Sequence, residues 1–361
     1  MLEEKILKSE EKAVFALRAL YRQHGYLPYK MSKFEEYEYY IRNKDFLTGD
    51  RFITFTDTTG RLLALKPDVT LSIVKNLDVK PGCKQKVYYD ENVYRISDST
   101  GQYKEIMQAG LECIGDIDSY DLYEVVSLAA RSLGLISEDF VLQISHLGVL
   151  SAVMREISTD QTFQKMAANY IASKNLHDLI RLCSQYGIPG EKVELLVTFI
   201  NLYGDREYVL TQMEAVLGEY ASDSLRELRC LSEQLDQLPC SDKIVFDFSV
   251  VNNMSYYNGI VFSGFLRGIN DRILAGGQYD KLMRKLHFQS GAVGFAVYLD
   301  LLEQLPNRNT AWDVDVLLLY SGDTAADVVA KGVEKWIAAG KTVSAQRCIP
   351  PDLRYGEIIY L

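Results

Sequence analysis

Between Val87 and Gly115 the chain reads VYYDENVYRISDSTGQYKEIMQAGLECIG, two β-branched and aromatic runs flanking a short polar stretch. The pattern predicts strands over 87–97 and 103–114 joined by a polar turn. Arg95 sits inside the first run. In the second, Gln108, Gly110 and Glu112 fall at period two and so share one face, where Gly110 leaves room for a ligand. A lone strand arginine is ordinarily an ion-pair residue, and Gln108 and Glu112 alone would suit an exposed sheet face.

At 361 residues the chain holds one large domain plus an appendage with a well-buried core. A net charge of −10 opposes a broad nucleic-acid-gripping surface, which needs a Lys/Arg footprint. No apolar run approaches the roughly 20 residues that cross a bilayer. The acidic, helical N-terminus MLEEKILKSEEK is unlike a signal peptide, so the expected location is cytoplasmic. Cys83, Cys113, Cys183, Cys230, Cys240 and Cys348 form no CxxC pair, and His24, His146, His177 and His287 are scattered. Neither a metal site nor a Cys/His nucleophile is expected.

The periodicity predicts an amphipathic helix over 2–24, carrying Val14, Leu17, Leu20 and Tyr21, and a β-hairpin over 51–66. A helix follows at 69–76. Beyond the long hairpin come a helix over 119–134 closed by Gly134 and a strand at 140–145. From 147 to 238 strand signals vanish and apolar residues recur at helical period. Strands resume in KIVFDFSVV, YNGIVFSGFL and RILAGG, followed by helices near 278–286 and 298–304. Pro306 and NRNT mark a linker, and the last 50 residues read strand, helix, strand, strand. The expected boundaries are a core in two parts (1–146 and 241–306), a helical insertion (147–240) and a small α/β unit (311–361).

The stretch from Val87 to Gly115 resembles motif 2 of class II aminoacyl-tRNA synthetases, the histidyl enzymes most closely. In that family the strand arginine holds the ATP α-phosphate and the amino-acid carboxylate. The likeness covers most of 1–310, apart from the helical segment. LALKPDVT (63–70) resembles LALRPEGT, whose acidic residue contacts the histidine α-amino group, giving that role to Asp68 beside Thr70. NNMSYYNGIVF (252–262) resembles RGLDYYTGTVFE, with Tyr256 and Tyr257 helping to enclose the imidazole. LAGGQYDKL and GAVGFAVYLDLL (274–302) resemble GGRYDGL and motif 3, with Gly276, Gly277, Tyr279 and Asp280 matching. The tyrosines also suit ordinary sheet aromatics, and Gly276-Gly277 by itself reads as a tight turn rather than a phosphate cradle. Gln108 and Glu112 match the glutamine and glutamate that meet the histidine backbone and imidazole; a carboxylate there orients the ring and favours its protonated form.

The departures fall on the activating chemistry. Arg95 is followed by Ile96 and Ser97 rather than the Arg-x-Glu pattern, the loop is one residue shorter, and Gln102 and Lys104 replace loop arginines. Asn252 and Leu301 stand where the resemblance expects arginines, and Tyr298 stands where it expects glycine. Fixed cations stabilise the charge that develops on phosphate during adenylation. A binding pocket without that machinery resembles the synthetase-like regulatory subunits of short-form ATP phosphoribosyltransferase.

The resemblance implies an α+β class II fold: an antiparallel sheet flanked by helices, a helical insertion, and a small C-terminal unit like a truncated anticodon-binding fold. It implies no catalytic residue, cofactor or metal. The partners implied are the short-form catalytic subunit and a second copy of the chain, a homodimer within a hetero-octamer. The regulator activates the first step of histidine biosynthesis and takes part in feedback inhibition by histidine, sensed either by the catalytic partner or, in this chain, by Asp68, Thr70, Arg95, Gln108, Glu112, Tyr256, Tyr257 and Tyr279. A divergent histidyl-tRNA synthetase, an amino-acid- or tRNA-sensing paralogue, and a purely structural activator are the alternatives.

Overall fold

The computed structural model describes residues 7–44, 47, 52–76, 80, 82–96, 100–217, 221–251, 256–305 and 312–361. Its first part runs through helix α1 (Ser9–Gln23), strands β1 (Leu27–Pro28) and β2 (Phe34–Glu36), helix α2 (Tyr37–Arg42), hairpin β3 (Thr54–Thr56) and β4 (Leu62–Leu65), and helix α3 (Val69–Lys75). The long hairpin β5 (Lys84–Ile96) and β6 (Tyr103–Gly115), helix α4 (Ser119–Ile136) and strand β7 (Phe140–His146) follow. Next come α5 (Leu147–Ile157), α6 (Gln161–Ala172), α7 (Leu176–Gln185) and α8 (Gly190–Asn201), a two-residue strand β8 (Tyr203–Gly204), then α9 (Arg206–Leu217) and α10 (Ser222–Leu235). Strands return as β9 (Ile244–Asp247), β10 (Ile260–Leu266) and β11 (Leu274–Gln278), then helix α11 (Asp280–Lys285), strand β12 (Gly291–Tyr298) and a 3-10 turn at Leu299–Gln304.

These strands form one nine-stranded sheet in the order β1-β5-β6-β12-β11-β10-β7-β9-β8. Only the β1/β5 and β7/β9 pairs are parallel. β2, β4 and β3 make a separate small antiparallel sheet. The period-two pattern of β6 suits an interior strand with a different core on each face. Ala109, Leu111 and Cys113 enter an apolar core with Val14, Leu17 and Tyr21 of α1 and Leu128, Ala129 and Leu133 of α4. Ile114 joins Val87, Tyr89 and Val93 in a second core, with Ile73 and Val74 of α3 and Met283 of α11. Each fully buried Leu there contributes about 1.5–3 kcal/mol.

Several expectations change. Helix α1 begins at Ser9 with Lys8 extended, and the residues before Leu7 lie outside the described ones. Gly134 does not close α4, which runs on to Ile136 because Leu133 is locked in the core and carries the helix past the glycine. The 298–304 segment is a 3-10 turn preceded by a full strand, β12. The helical segment also contributes β8, which pairs with β9 at the sheet edge. Asn252, Ser97, Pro306 and the NRNT segment lie outside the described residues.

Lys8–Leu305 form one compact unit, and the described C-terminal residues belong to another. That second unit has β13 (Val314–Leu319), helix α12 (Ala326–Ala338), β14 (Val343–Gln346) and β15 (Tyr355–Tyr360). Its three strands lie parallel in the order β14-β13-β15, with Val316, Leu317 and Leu318 buried. Among the described residues no helix is long and apolar enough to cross a membrane, and no His/Cys/Asp/Glu group is arranged to hold a metal ion.

Candidate functional site

A cleft of ≈ 340 Å³ opens on the sheet face formed by β6, β12 and β11, with the start of α3 beside it. Asp68, Thr70, Arg95, Gln108, Glu112, Tyr256, Tyr257 and Tyr279 all line it, so all eight sequence-predicted residues come together. They arrive from four separate segments of the chain.

Glu112 lies at one end and is 2% exposed. The Thr70 hydroxyl donates to its Oε1 at 2.6 Å, and the Tyr279 hydroxyl donates to its Oε2 at 2.6 Å. Burial pushes the Glu112 carboxyl up to about 8; the two hydroxyl donors oppose that shift and the nearby Asp68 charge adds to it. Near neutral pH the carboxyl holds its proton and offers a ligand one O–H donor as well as remaining acceptor capacity. Gly294 lies opposite Glu112 across the β6–β12 ladder, where a Cβ would come within 1.7 Å of Oε2. The carboxylate therefore occupies space that only glycine leaves.

Asp68 caps α3, its Oδ1 accepting from Leu71 N at 2.9 Å. Burial raises its pKa, while the Leu71 amide and the Arg95 charge oppose the shift. Arg95 donates through Nε to the Pro67 carbonyl at 3.0 Å and makes no ion pair among the described residues. Its other N–H groups make no side-chain hydrogen bond among the described residues, and a guanidinium beside Asp68 suits a bidentate anion. The ion-pair alternative for Arg95 is thus excluded for the described residues. Behind this corner the Lys66 ammonium, 0% exposed, meets Glu91 at 2.9 Å.

The aromatic wall is continuous. Tyr256 packs on Tyr257 at 4.6 Å and on Tyr279 at 5.5 Å between ring centroids. Burial raises the pKa of all three, which keeps them neutral hydroxyls. Thr70 also hydrogen-bonds the Tyr256 side chain.

Two readings of the glycines are corrected, and the exposed-face alternative for Gln108 is set aside. Gly110 does not hold space for a ligand: a Cβ there would meet the Tyr89 hydroxyl at 2.6 Å, so the gap admits the Tyr89 ring. Gly276 and Gly277 form neither a cradle nor a turn; they sit inside β11, paired on both sides, and let β10 and β12 approach. Gln108, 4% exposed, is not a surface polar residue, and its amide has no side-chain hydrogen bond among the described residues.

Sequence reasoning missed Tyr89 and Arg272 as lining residues. Tyr89 was signalled by its place directly opposite Gly110. Arg272 gave no signal beyond being a charge at a strand start. Asp280, matched to the family motif, lies outside the cleft; its carboxylate accepts from Ala292 N at 2.9 Å and Asn258 Nδ2 at 3.0 Å, a structural role. Leu301 is packed against the core and presents no cation.

The family model described as Histidyl-tRNA synthetase matches residues 2–302. A curated relative from Bacillus cereus, named ATP phosphoribosyltransferase regulatory subunit, is 25% identical over 321 residues, 86% of this chain and 76% of the relative. The crystal structure of an ATP phosphoribosyltransferase regulatory subunit/histidyl-tRNA synthetase from Bacillus halodurans superposes with a TM-score of 0.74 at 23% identity, covering 99% of this chain and 96% of that one. A chain of the ATP phosphoribosyl transferase (HisG:HisZ) complex from Thermotoga maritima gives 0.63 at 20% identity, covering 80% and 96%. The fold is therefore the histidyl-tRNA synthetase-like α+β architecture, with a large central sheet. The match over residues 2–302 settles the membership: this chain belongs to the histidyl-tRNA synthetase family.

Proposed function

We propose that the chain is the non-catalytic regulatory subunit of a short-form ATP phosphoribosyltransferase, and that its cleft binds free histidine. The observation that carries this is a cleft lined by all eight sequence-predicted residues, together with an apolar Leu301 packed against the core. The curated relatives' name points the same way. In this reading Asp68 takes the ammonium, Arg95 the carboxylate and Glu112 an imidazole N–H, with the tyrosines enclosing the ring. Adenylation needs fixed cations on the phosphates, and a leucine at 301 supplies none.

The proposed mechanism is linkage. The chain, as a homodimer within a hetero-octamer, stabilises the active state of the catalytic subunit, and histidine shifts the equilibrium back. A coupling of about 1–3 kcal/mol suffices. Residues 147–240 serve as a helical insertion and 311–361 as a remnant of an anticodon-binding unit.

The test mixes this chain with the short-form catalytic subunit and follows phosphoribosyl-ATP formation with and without histidine. Activation that histidine reverses, with reversal lost in Glu112→Ala, is the expected result. Absence of both activation and co-elution rejects the reading. Histidine-dependent pyrophosphate exchange by the chain alone would instead favour a divergent synthetase.

A further inference from the structure

The cleft floor is a strip of small residues closed at one end by a large one. On β12, Val293 and Val297 are fully buried in the core, so the alternate residues Gly294, Ala296 and Tyr298 take the cleft face, and all three line the cleft. Ala275 of β11 extends the same floor. Glu112 stands opposite Gly294, and Gln108 stands opposite Tyr298. The two ends are four residues apart, about 13 Å along the strands. The Glu112 carboxyl and the Tyr298 ring narrow that interval from its two ends.

Tyr298 is held in place. Its N–H donates to the Ile273 carbonyl at 2.8 Å. The fully buried Val297 and Leu299 fix the backbone on either side. Tyr89, Tyr257 and Tyr298 line the same cleft. The hydroxyls of Tyr89, Tyr257 and Tyr298 and the Gln108 amide have no side-chain hydrogen bond among the described residues.

We propose that Tyr298 sets the length of the ligand, so that the cleft accepts a free α-amino acid and rejects one whose carboxyl carries a further group, as in an amide, ester or acyl anhydride. The proposal rests on the reading of the cleft as a histidine site. With the imidazole at Glu112, a ligand laid along β6 points at Gln108, which faces Tyr298 across the ladder, so a group added beyond the carboxyl carbon meets the Tyr298 ring. A sensor of free amino acid needs such a wall, because specificity comes as much from a clash with the wrong ligand as from contacts with the right one.

The experiment titrates L-histidine and the dipeptide histidylglycine into the full chain by calorimetry, with the native protein, Tyr298→Ala and Tyr298→Phe. Native protein is expected to prefer histidine by more than about tenfold, and Tyr298→Ala to shrink that ratio by about tenfold. Tyr298→Phe keeps the ring and is expected to keep the preference. Loss of the dipeptide's carboxylate charge at Arg95 acts equally on all three proteins, so the change in ratio isolates the ring. An unchanged ratio in Tyr298→Ala, with histidine still bound, overturns the wall and leaves the histidine reading standing. Failure of the native protein to bind histidine overturns both.

Discussion

The two ends of the cleft are built on opposite principles. At the Glu112 end polar groups are partnered: Thr70 and Tyr279 hold the two carboxylate oxygens and Asp68 caps a helix. At the Tyr298 end, the Gln108 amide and the Tyr298 hydroxyl have no side-chain partner among the described residues, and Leu301 nearby in sequence is apolar and packed against the core. A fully bonded constellation is rigid before the ligand arrives, so little ordering cost remains at binding. The open end instead holds groups that await a partner and a ring that limits reach. One end specifies what is bound, and the other how much of it.

Three substitutions and a titration would break or sharpen that contrast. The largest effect is expected from Gly294→Ala, whose Cβ would press on Glu112 Oε2 and come within 2.5 Å of the Leu111 carbonyl. Overpacking of this kind costs about 1–3 kcal/mol. A lower denaturation midpoint together with lost histidine binding would confirm it, and an unchanged midpoint would show the Glu112 end to be loose. Glu112→Gln keeps the volume but upsets the bonds to Thr70 and Tyr279, with an expected loss of about 1–2 kcal/mol near pH 5 by chemical unfolding.

The same variant sharpens a pH test. Burial raises the Glu112 carboxyl from 4.5 to about 8, so the folded chain binds the extra proton between those values. Its stabilising share is complete below pH 4.5 and is lost as pH rises through 8. Native protein is therefore expected to lose stability from pH 5 toward 9, and Glu112→Gln to flatten that slope; equal slopes would remove Glu112 as the cause. The smallest effect belongs to Gln108→Ala. Its amide makes no side-chain hydrogen bond among the described residues, so stability is expected to move by no more than about 0.5 kcal/mol while ligand affinity falls. A large loss of stability there would mean that the open end is not open.

Much of this was legible in local pattern. Period two alone put Gln108 and Glu112 on one face, and motif likeness brought in the tyrosines and Asp68. What escaped depended on partners distant in the chain. Strand β12, GAVGFAVY, is half glycine and alanine, residues of low strand propensity. It is a strand because β6 and β11 flank it. Gly110 suggested empty space until Tyr89, on the neighbouring strand, proved to fill it. Arg272 is set by a turn that no periodicity marks.

The hydrogen bond from Tyr279 to Glu112 joins residues 167 positions apart. Between them lies the whole run of helices α5 to α10, so this contact closes a very long loop. Non-local contacts of that kind come late in folding, after local helices and hairpins have formed. The long β5–β6 hairpin can form early, yet the Glu112 end of the cleft has no complete shape until β11 and β12 dock upon it. For a newly made chain, the ability to bind in the cleft is then a signal of completed synthesis and folding, and truncated chains ending before Tyr279 would be silent.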